Sequence, residues 1–364
     1  MPDHPVEDPF NQPAQLDLGI AGLRCGPDSS ALQVHSAVEL PFCTLRSYSI
    51  AGRTGTGAAL VVPPLSGHFP VLFRDFVLGV LQHRNVHVAE WKNARHVSLE
   101  NGPFGFEHNI EYIVRMIEAL GPDLNVIGIC QSAVPALAAV SVLSEKKSAL
   151  APHALVLLGG AIDPMANPTR VVALLRERSL EWFYVNVIQR VTSQCAGKGR
   201  LVYPAHIQLT GLLGYLTRHV QEGRELSRKL THDDGSDPKS FPFLRLYTAI
   251  MDLPVELFME NIETVYHERR ILDGRLTYRG ETVRPEAIEA TALMTIEGLE
   301  DDIAAPGQTF AAHRICRNIP GGRRKHFVVA DAGHFSLFHG DRFRADVLPQ
   351  IDRFITSLST HAAE

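Results

Sequence analysis

Residues 124–139 read LNVIGICQSAVPALAA, and this stretch decides the fold. Leu124–Ile129 is a short apolar run of strand length, which predicts a buried β-strand. A run of small residues closes the stretch and is typical of a helix that packs close to a sheet. Cys130 lies between strand and helix, with Gly128 two residues before it and Ser132 two residues after it. Strand, sharp turn and helix are the setting of a nucleophile elbow, here with cysteine where serine is usual.

Cys130 also has a plainer interpretation as a buried core thiol, because free cysteine is among the most buried residue types. The predicted setting favours reactivity over burial. A helix that begins directly behind a thiol stabilises its anionic form and aims backbone N–H groups at an oxyanion.

Short apolar runs alternate with longer segments of helical period on both sides of this stretch. The strand-like runs are residues 58–62, 86–90, 124–129, 154–158, 292–296 and 325–329. Residues 110–120 and 343–358 carry apolar residues at the spacing of amphipathic helices. This alternation predicts a parallel sheet covered by helices.

The alternation stops between residues 164 and 289. Helix-like stretches fill this part, at residues 170–189, 207–229 and 244–265. We predict a helical lid inserted between the sixth and seventh strands of one sheet, which are the runs at residues 154–158 and 292–296. The last strands belong to the same sheet because they need earlier neighbours to pair with. The predicted organisation is a loosely ordered N-terminal arm (1–43), a first core segment (44–163), the lid (164–289) and a second core segment (290–364).

A histidine follows the last predicted strand. His334 lies just after residues 325–329 in a glycine-containing loop. A thiol nucleophile needs such a base, and the base needs an acid to orient it. The chain order nucleophile, acid, histidine is that of α/β-hydrolases, so we predict an α/β-hydrolase fold with a mostly parallel sheet. The alternative for His334 is an ordinary surface histidine.

Three consecutive carboxylates follow residues 292–296, where the acid of such a set belongs. They are Glu300, Asp301 and Asp302. We predict Asp301 as the acid, because Ile303 and a nearby proline follow it at the spacing usual for this position. Asp302 stays open as the rival, and a solvated acidic turn is the alternative for all three.

An oxyanion hole should accompany the nucleophile. One donor would be the backbone N–H of Gln131, and the other an N–H near Leu65 or Ser66, in the loop after the third strand of the fold, which here follows residues 58–62. His68 in the same loop could serve as a second base. We favour the interpretation of His68 as a residue that lines a loop or pocket.

Composition argues against several classes of protein. The chain has 364 residues, of which 45% are hydrophobic and 21% charged, as in a folded globular protein. A net charge of −5 offers no positive field that would attract a phosphate backbone, so no nucleic-acid partner is expected.

No apolar run reaches the roughly 18 residues of a membrane span. The acidic, proline-rich start is unlike a secretory signal, so we expect a cytoplasmic protein. Five scattered cysteines predict neither disulfides nor a zinc site, and no metal or cofactor is expected.

Eight separated segments add a further pattern, in one order along the chain. They read LSGHF at 65–69, EWKNAR at 90–95, GICQ at 128–131, GGAID at 159–163, VYP at 202–204, YTAIMD at 247–252, RG at 279–280 and EGLEDDIAAPGQT at 297–309. With these segments the chain resembles, over about residues 40–358, the intracellular polyhydroxybutyrate depolymerases, which are related to the polyester synthases.

The resemblance implies a cysteine nucleophile that cleaves the ester bonds of stored poly(3-hydroxybutyrate). Cys130, Asp301 and His334 stand at the matched positions of the catalytic triad. The implied partner is the surface of a storage granule or its soluble oligomers, and the implied location is the cytoplasm, at such granules. The N-terminal segment is shorter than the family leads us to expect, which leaves granule attachment and a homodimer open. Residues 333–336 read GHFS instead of the usual Gly-His-Tyr-Gly, which bears on chain-length preference.

Two alternatives to hydrolysis stay open. The same cysteine could pass its acyl group to coenzyme A instead of water, or the chain could be a non-catalytic granule-binding protein. The product distinguishes hydrolysis from the first alternative, because hydrolysis releases free acid and transfer to coenzyme A releases hydroxyacyl-CoA. Selective alkylation of Cys130 argues against the second.

Overall fold

A nine-stranded sheet lies at the centre of the protein, in a computed structural model that describes residues 13–21, 23–25, 30–53, 57–192, 194–232 and 242–360. Seven of its strands come first along the chain: β1 Arg24–Cys25, β2 Ser30–Leu40, β3 Cys43–Ile50, β4 Ala58–Val62, β5 Val86–Trp91, β6 Leu124–Ile129 and β7 Ala154–Leu158. Three helices cover them: α1 Arg74–Leu81, α2 Phe106–Leu120 and α3 Ala133–Glu145. β6 and β7 are buried at every position, which explains their continuous apolar sequence.

Residues 164–289, which we call the insertion, separate β7 from the rest of the sheet. Its helices are α4 Arg170–Glu177, α5 Leu180–Val187, α6 Ala205–Gln221, α7 Glu225–His232, α8 Phe243–Tyr247 and α9 Val255–Asn261, which continues into a π-helical turn at Ile262–His267. Its short antiparallel strands are β8 Gln189–Arg190, β9 Leu201–Tyr203, β10 Leu253–Pro254, β11 Thr277–Tyr278 and β12 Glu281–Thr282. None of the helices that the structure describes is long and apolar enough to cross a membrane.

The chain then returns to the central sheet. The remaining elements are β13 Ala292–Gly298, α10 Ala312–Ile315, β14 Arg324–Val329 and α11 Leu348–Thr360, the last preceded by a π-helical turn at Phe343–Val347. The strand order is β1-β2-β3-β5-β4-β6-β7-β13-β14, and the six strands from β5 to β14 in this order are parallel. The predicted mostly parallel sheet with helices is confirmed. Its parallel strands end at one edge, which is where α/β sheets of this type bind ligands.

The described part of the predicted loose arm contains regular structure. Residues 1–12 lie outside the described residues, but β2 is a regular strand that pairs with β3. Leu32, Val34, Val38 and Leu40 of β2 are buried or half-buried and alternate with exposed residues, as in a strand with one face in solvent. Leu18 and Ile20 are fully buried against the core.

All three long predicted helices are broken. Residues 244–265 divide at β10, which pairs with β9 between α8 and α9. Residues 170–189 divide at Ser179, whose hydroxyl accepts the Trp182 N–H at 3.1 Å and begins α5. Residues 207–229 divide near Gly223, which has a φ of 65° and separates α6 from α7. A left-handed residue at this point ends a helix whatever the apolar period beyond it.

Candidate active site

Cys130 lies in a tight turn between β6 and α3. Its φ of 53° is in the left-handed region, which costs a non-glycine residue about 1–3 kcal/mol. The turn Cys130–Ser132 is a single 3-10 turn that leads directly into α3, and the cysteine side chain is partly exposed. The backbone therefore has the strained strand-to-helix geometry that an elbow requires.

Glycines let α3 sit close to the sheet at this turn. A Cβ on Gly160 would lie 2.2 Å from the nearest side-chain carbon of α3, and one on Gly128 would lie 2.9 Å from another. Gly159 has a φ of 52°, and a Cβ there would approach Cε1 of His334 to 3.2 Å. The Gly159–Gly160 pair is too short to form a phosphate-binding loop. In the structure the pair makes room for the turn and for the histidine.

His334 and Asp301 meet at the carboxyl ends of the last two strands. Nδ1 of His334 lies 2.7 Å from Oδ2 of Asp301, and both side chains are buried. The other carboxylate oxygen, Oδ1, accepts the backbone N–H groups of Ile303 and Ala304, each at 2.8 Å. The carboxylate is thus fixed from two sides, so it can orient the imidazole.

The imidazole of His334 faces the same cavity as Cys130. Burial on its own lowers the pKa of His334, but the charge of Asp301, the nearby Cys130 and the hydrogen bond to Asp301 raise that pKa well above its ordinary value. The imidazole, oriented by Asp301, is thus placed to serve a thiol nucleophile as its base.

Asp302 and Glu300 point away from His334. Asp302 is bound by four side chains of the insertion: Tyr215, Arg218, His219 and Arg224. Burial raises the pKa of Asp302, but these hydrogen bonds and charges hold it well below its usual value. Glu300 is exposed and pairs with Arg228 at 3.2 Å. Among the described residues, Asp301 is the one carboxylate of the three that contacts His334.

A cavity of about 280 Å³ opens over Cys130 and His334. Its walls are mostly apolar and come from the core and from the insertion. The insertion contributes Val171, Leu175, Leu212, Phe258, Ile262 and Tyr266. This volume is close to the lower end, about 300 Å³, of small-molecule pockets. The site therefore suits a small apolar acyl group.

Gln131 and Ser66 both line this cavity, whereas the buried Leu65 does not. The N–H of Gln131 belongs to the first turn of a helix, where donors have no acceptor within the helix. The loop that carries Ser66 is tied to the elbow, because the hydroxyl of Ser132 donates to the carbonyl of Pro63 at 2.7 Å. The two predicted oxyanion donors thus belong to loops in fixed contact.

His68 lines the same cavity but is held by a different contact. Its Nε2 lies 2.9 Å from the carbonyl oxygen of Tyr247. Burial lowers the pKa of His68 to about 4, so the ring is neutral at neutral pH and donates this hydrogen bond. Gly67 beside it has a φ of 107°, and a Cβ there would overlap Gln208 of α6. These contacts fit the interpretation of His68 as a pocket wall.

The insertion places two residues at the site for which the sequence gives no signal. Tyr266 lies on the π-helical turn and lines the cavity near Cys130; burial and the charge of that cysteine raise the pKa of Tyr266. Glu225 of α7 accepts the N–H of Phe335, next to His334. A tyrosine within an aromatic helical segment and a glutamate at a helix start are both common, so only the fold reveals their positions.

A nucleophile candidate after a central parallel strand, with an acid and a histidine after the last two strands, defines an α/β-hydrolase. Residues 159–359 match the family described as "PHB de-polymerase C-terminus". The match covers more than half of the chain, and the chain belongs to this family. Family and fold together support a hydrolase of ester bonds.

Solved structures show the same fold at low sequence identity. A hypothetical protein from Pseudomonas aeruginosa superposes with a TM-score of 0.54 at 14% identity, over 95% of this chain and 99% of the other. A thermophilic esterase from Thermogutta terrifontis gives 0.52 at 14% identity, over 90% and 99%. A bromoperoxidase from Bacillus anthracis gives 0.50 at 10% identity, over 90% and 100%. A comparison with curated protein sequences found no match.

Proposed function

We propose that the protein hydrolyses the ester bonds of poly(3-hydroxybutyrate) or its oligomers through an acyl-thioester on Cys130. The observation that carries the proposal is the hydrogen-bonded pair His334–Asp301, which meets Cys130 at one mostly apolar cavity. Membership of the PHB depolymerase family supports the choice of polyester. The small cavity supports short side chains on the monomer.

The first half of the reaction forms the thioester. His334 holds the thiol proton, and the sulfur of Cys130 attacks the ester carbonyl carbon. The carbonyl oxygen becomes an oxyanion, which the N–H groups of Gln131 and Ser66 stabilise. When this intermediate collapses, the carbon–oxygen bond to the next monomer breaks, and the leaving oxygen takes the proton from His334.

The second half releases the acid. His334 takes a proton from water as the water oxygen attacks the thioester carbonyl. Collapse of the second tetrahedral intermediate breaks the carbon–sulfur bond, and a hydroxy acid leaves. Cys130 and His334 return to the thiolate–imidazolium pair. Asp301 stabilises the imidazolium throughout and keeps it in one orientation.

The insertion serves in this proposal as a lid, and the first and second core segments as its base. Its residues supply much of the cavity wall, so polymer or oligomer must pass between the insertion and the core to reach Cys130. The granule surface, or oligomers released from it, is the partner that this substrate implies.

The test uses purified protein on amorphous poly(3-hydroxybutyrate) and on 3-hydroxybutyrate oligomers, with products identified by mass. We expect free 3-hydroxybutyrate or short oligomers from the wild type and none from Cys130→Ala. Full release by Cys130→Ala would refute the assignment. With coenzyme A added, hydroxyacyl-CoA in place of free acid would identify coenzyme A as the acyl acceptor. Binding to granules without any product would indicate a granule-binding protein.

A further inference from the structure

Glu225 is a buried carboxylate that the reaction steps above do not use. It is the first residue of α7 and is 3% exposed. Its two oxygens accept the backbone N–H groups of Phe335, at 3.2 Å, and Ser336, at 2.5 Å. These are the two residues directly after His334. A carboxylate is costly to bury unless it is hydrogen-bonded, so this pair of contacts is what keeps Glu225 in place.

The residue before His334 touches the same carboxylate. A Cβ on Gly333 would lie 2.3 Å from Oε2 of Glu225, so any larger residue would displace the glutamate or the loop. Glu225 therefore contacts the backbone on both sides of the histidine, from residue 333 to residue 336.

The corner where α6 meets α7, residues 215–225, also binds the loop that carries Asp301. Asp302 accepts hydrogen bonds from Arg218 and Arg224, each at 2.9 Å. Tyr215 donates a further one at 2.5 Å, and α6 supplies a histidine as well. Consecutive residues thus have separate roles: Asp301 faces His334, and Asp302 faces the insertion.

We propose that Glu225 is a positioning residue that sets the orientation of His334, and that Asp302 anchors the corner which carries Glu225. Arg224, which binds Asp302, directly precedes Glu225, so the two loops are held by adjacent residues. The inference rests on the proposed role of His334 as the base. A shift of about 1 Å in a reacting group can lower a rate by about a hundredfold, which is why a contact outside the cavity matters for the chemistry.

The same helix that anchors the acid loop also forms part of the substrate wall. Leu212 of α6 lines the cavity, one helical turn before Tyr215, and its carbonyl accepts the Tyr247 hydroxyl at 2.8 Å. A substrate that moves α6 therefore acts on the loops of Asp301 and His334 through Asp302 and Glu225. The insertion contributes to the alignment of the base as well as to the cavity wall.

Glu225→Gln tests the proposal, with Glu222→Gln as the matched control in the same corner. Glu222 is exposed and pairs with Arg224 at 3.6 Å. Two readouts are measured for each variant: kcat and KM on a short ester, per titrated active site, and the pH dependence of Cys130 alkylation by iodoacetamide. We expect Glu225→Gln to lower kcat about tenfold or more with little change in KM. We also expect its alkylation profile to move to higher pH, because a misplaced imidazole assists the thiol less.

A purely stabilising role predicts a different result. It would lower the unfolding temperature of Glu225→Gln but leave kcat per active site and the alkylation profile equal to those of Glu222→Gln, and that outcome would overturn the proposal. If Glu225→Gln does not fold, the same two measurements are made on Asp302→Asn. We expect a smaller shift of the alkylation profile in the same direction. An unchanged alkylation profile would contradict the proposed role of Asp302 as an anchor. Failure of the proposed function is distinguishable, because wild-type Cys130 would then show no faster alkylation than Cys195.

Discussion

Replacing Asp301 by asparagine removes one charge beside His334 and keeps the shape of the side chain. Oδ2 of Asp301 lies 2.7 Å from Nδ1 of His334. At an effective dielectric constant of about 20, unit charges at that separation attract by about 6 kcal/mol. If a neutral hydrogen bond recovers about half of this, the remaining 3 kcal/mol or so corresponds to about a hundredfold loss in kcat.

The structure also determines which way the new amide faces. Two backbone N–H groups, from Ile303 and Ala304, need the acceptor that Oδ1 of Asp301 supplies. In Asp301→Asn the amide oxygen must occupy this place, which turns the NH2 group toward Nδ1 of His334. The imidazole then has to carry its proton on the nitrogen that faces Cys130, so it cannot act as a base.

The experiment measures kcat on a short ester for Asp301→Asn and for Glu300→Gln, with denaturant unfolding to confirm that both are folded. Glu300 is exposed and is bound to Arg228 at the surface, so its variant should retain wild-type kcat within about twofold. A folded Asp301→Asn that keeps kcat within about threefold of the wild type would refute the reasoning and return the acid role to Asp302.

Three further predictions follow from burial and packing. Gly160→Ala should destabilise the protein by about 1–3 kcal/mol, because the new Cβ overlaps α3. Gly214→Ala has open space on α6 and should stabilise the protein by about 0.5–1 kcal/mol. Urea unfolding of both variants checks this, and equal midpoints would contradict it. Buried, neutral His68 has its pKa lowered to about 4, so it stabilises the fold above pH 6.5, and this contribution is lost as the pH falls toward 4 because the unfolded chain takes up the proton first. His68→Gln should therefore lose about 3 kcal/mol less unfolding free energy than the wild type between pH 7 and pH 4, and parallel losses would argue against a neutral His68. Iodoacetamide at neutral pH should label Cys130 well before Cys316, since burial raises the pKa of Cys316 to about 12; labelling in the reverse order, read by peptide mass, would contradict the site.

The central strands could be predicted from the sequence because burial on both faces leaves them continuously apolar. The predicted runs at 58–62, 124–129 and 154–158 coincide with β4, β6 and β7. β2 could not be predicted in this way. Its apolar residues Leu32, Val34, Val38 and Leu40 alternate with exposed residues, so the signal is the weaker one of a half-buried strand and not a continuous apolar run.

For the candidate site, chain order and strand context indicate Cys130 and His334, but they cannot separate two adjacent carboxylates. Consecutive residues differ only in the direction of their side chains, and that direction depends on what the fold brings to each side. Asp301 meets the histidine, while Asp302 meets Arg218 of a helix that lies 84 residues earlier in the chain. Glu225 reaches the histidine loop across a still longer separation, so no local pattern could reveal it.

The most direct test of the proposed chemistry is to trap the intermediate. Wild-type protein is mixed with a 3-hydroxybutyrate oligomer, quenched in acid before the first turnover is complete, digested and mapped by mass spectrometry. We predict a 3-hydroxybutyryl group on the peptide that contains Cys130, bound as a thioester that neutral hydroxylamine removes. Product release in the same samples with Cys130 unmodified and the acyl group on another residue would contradict the proposal.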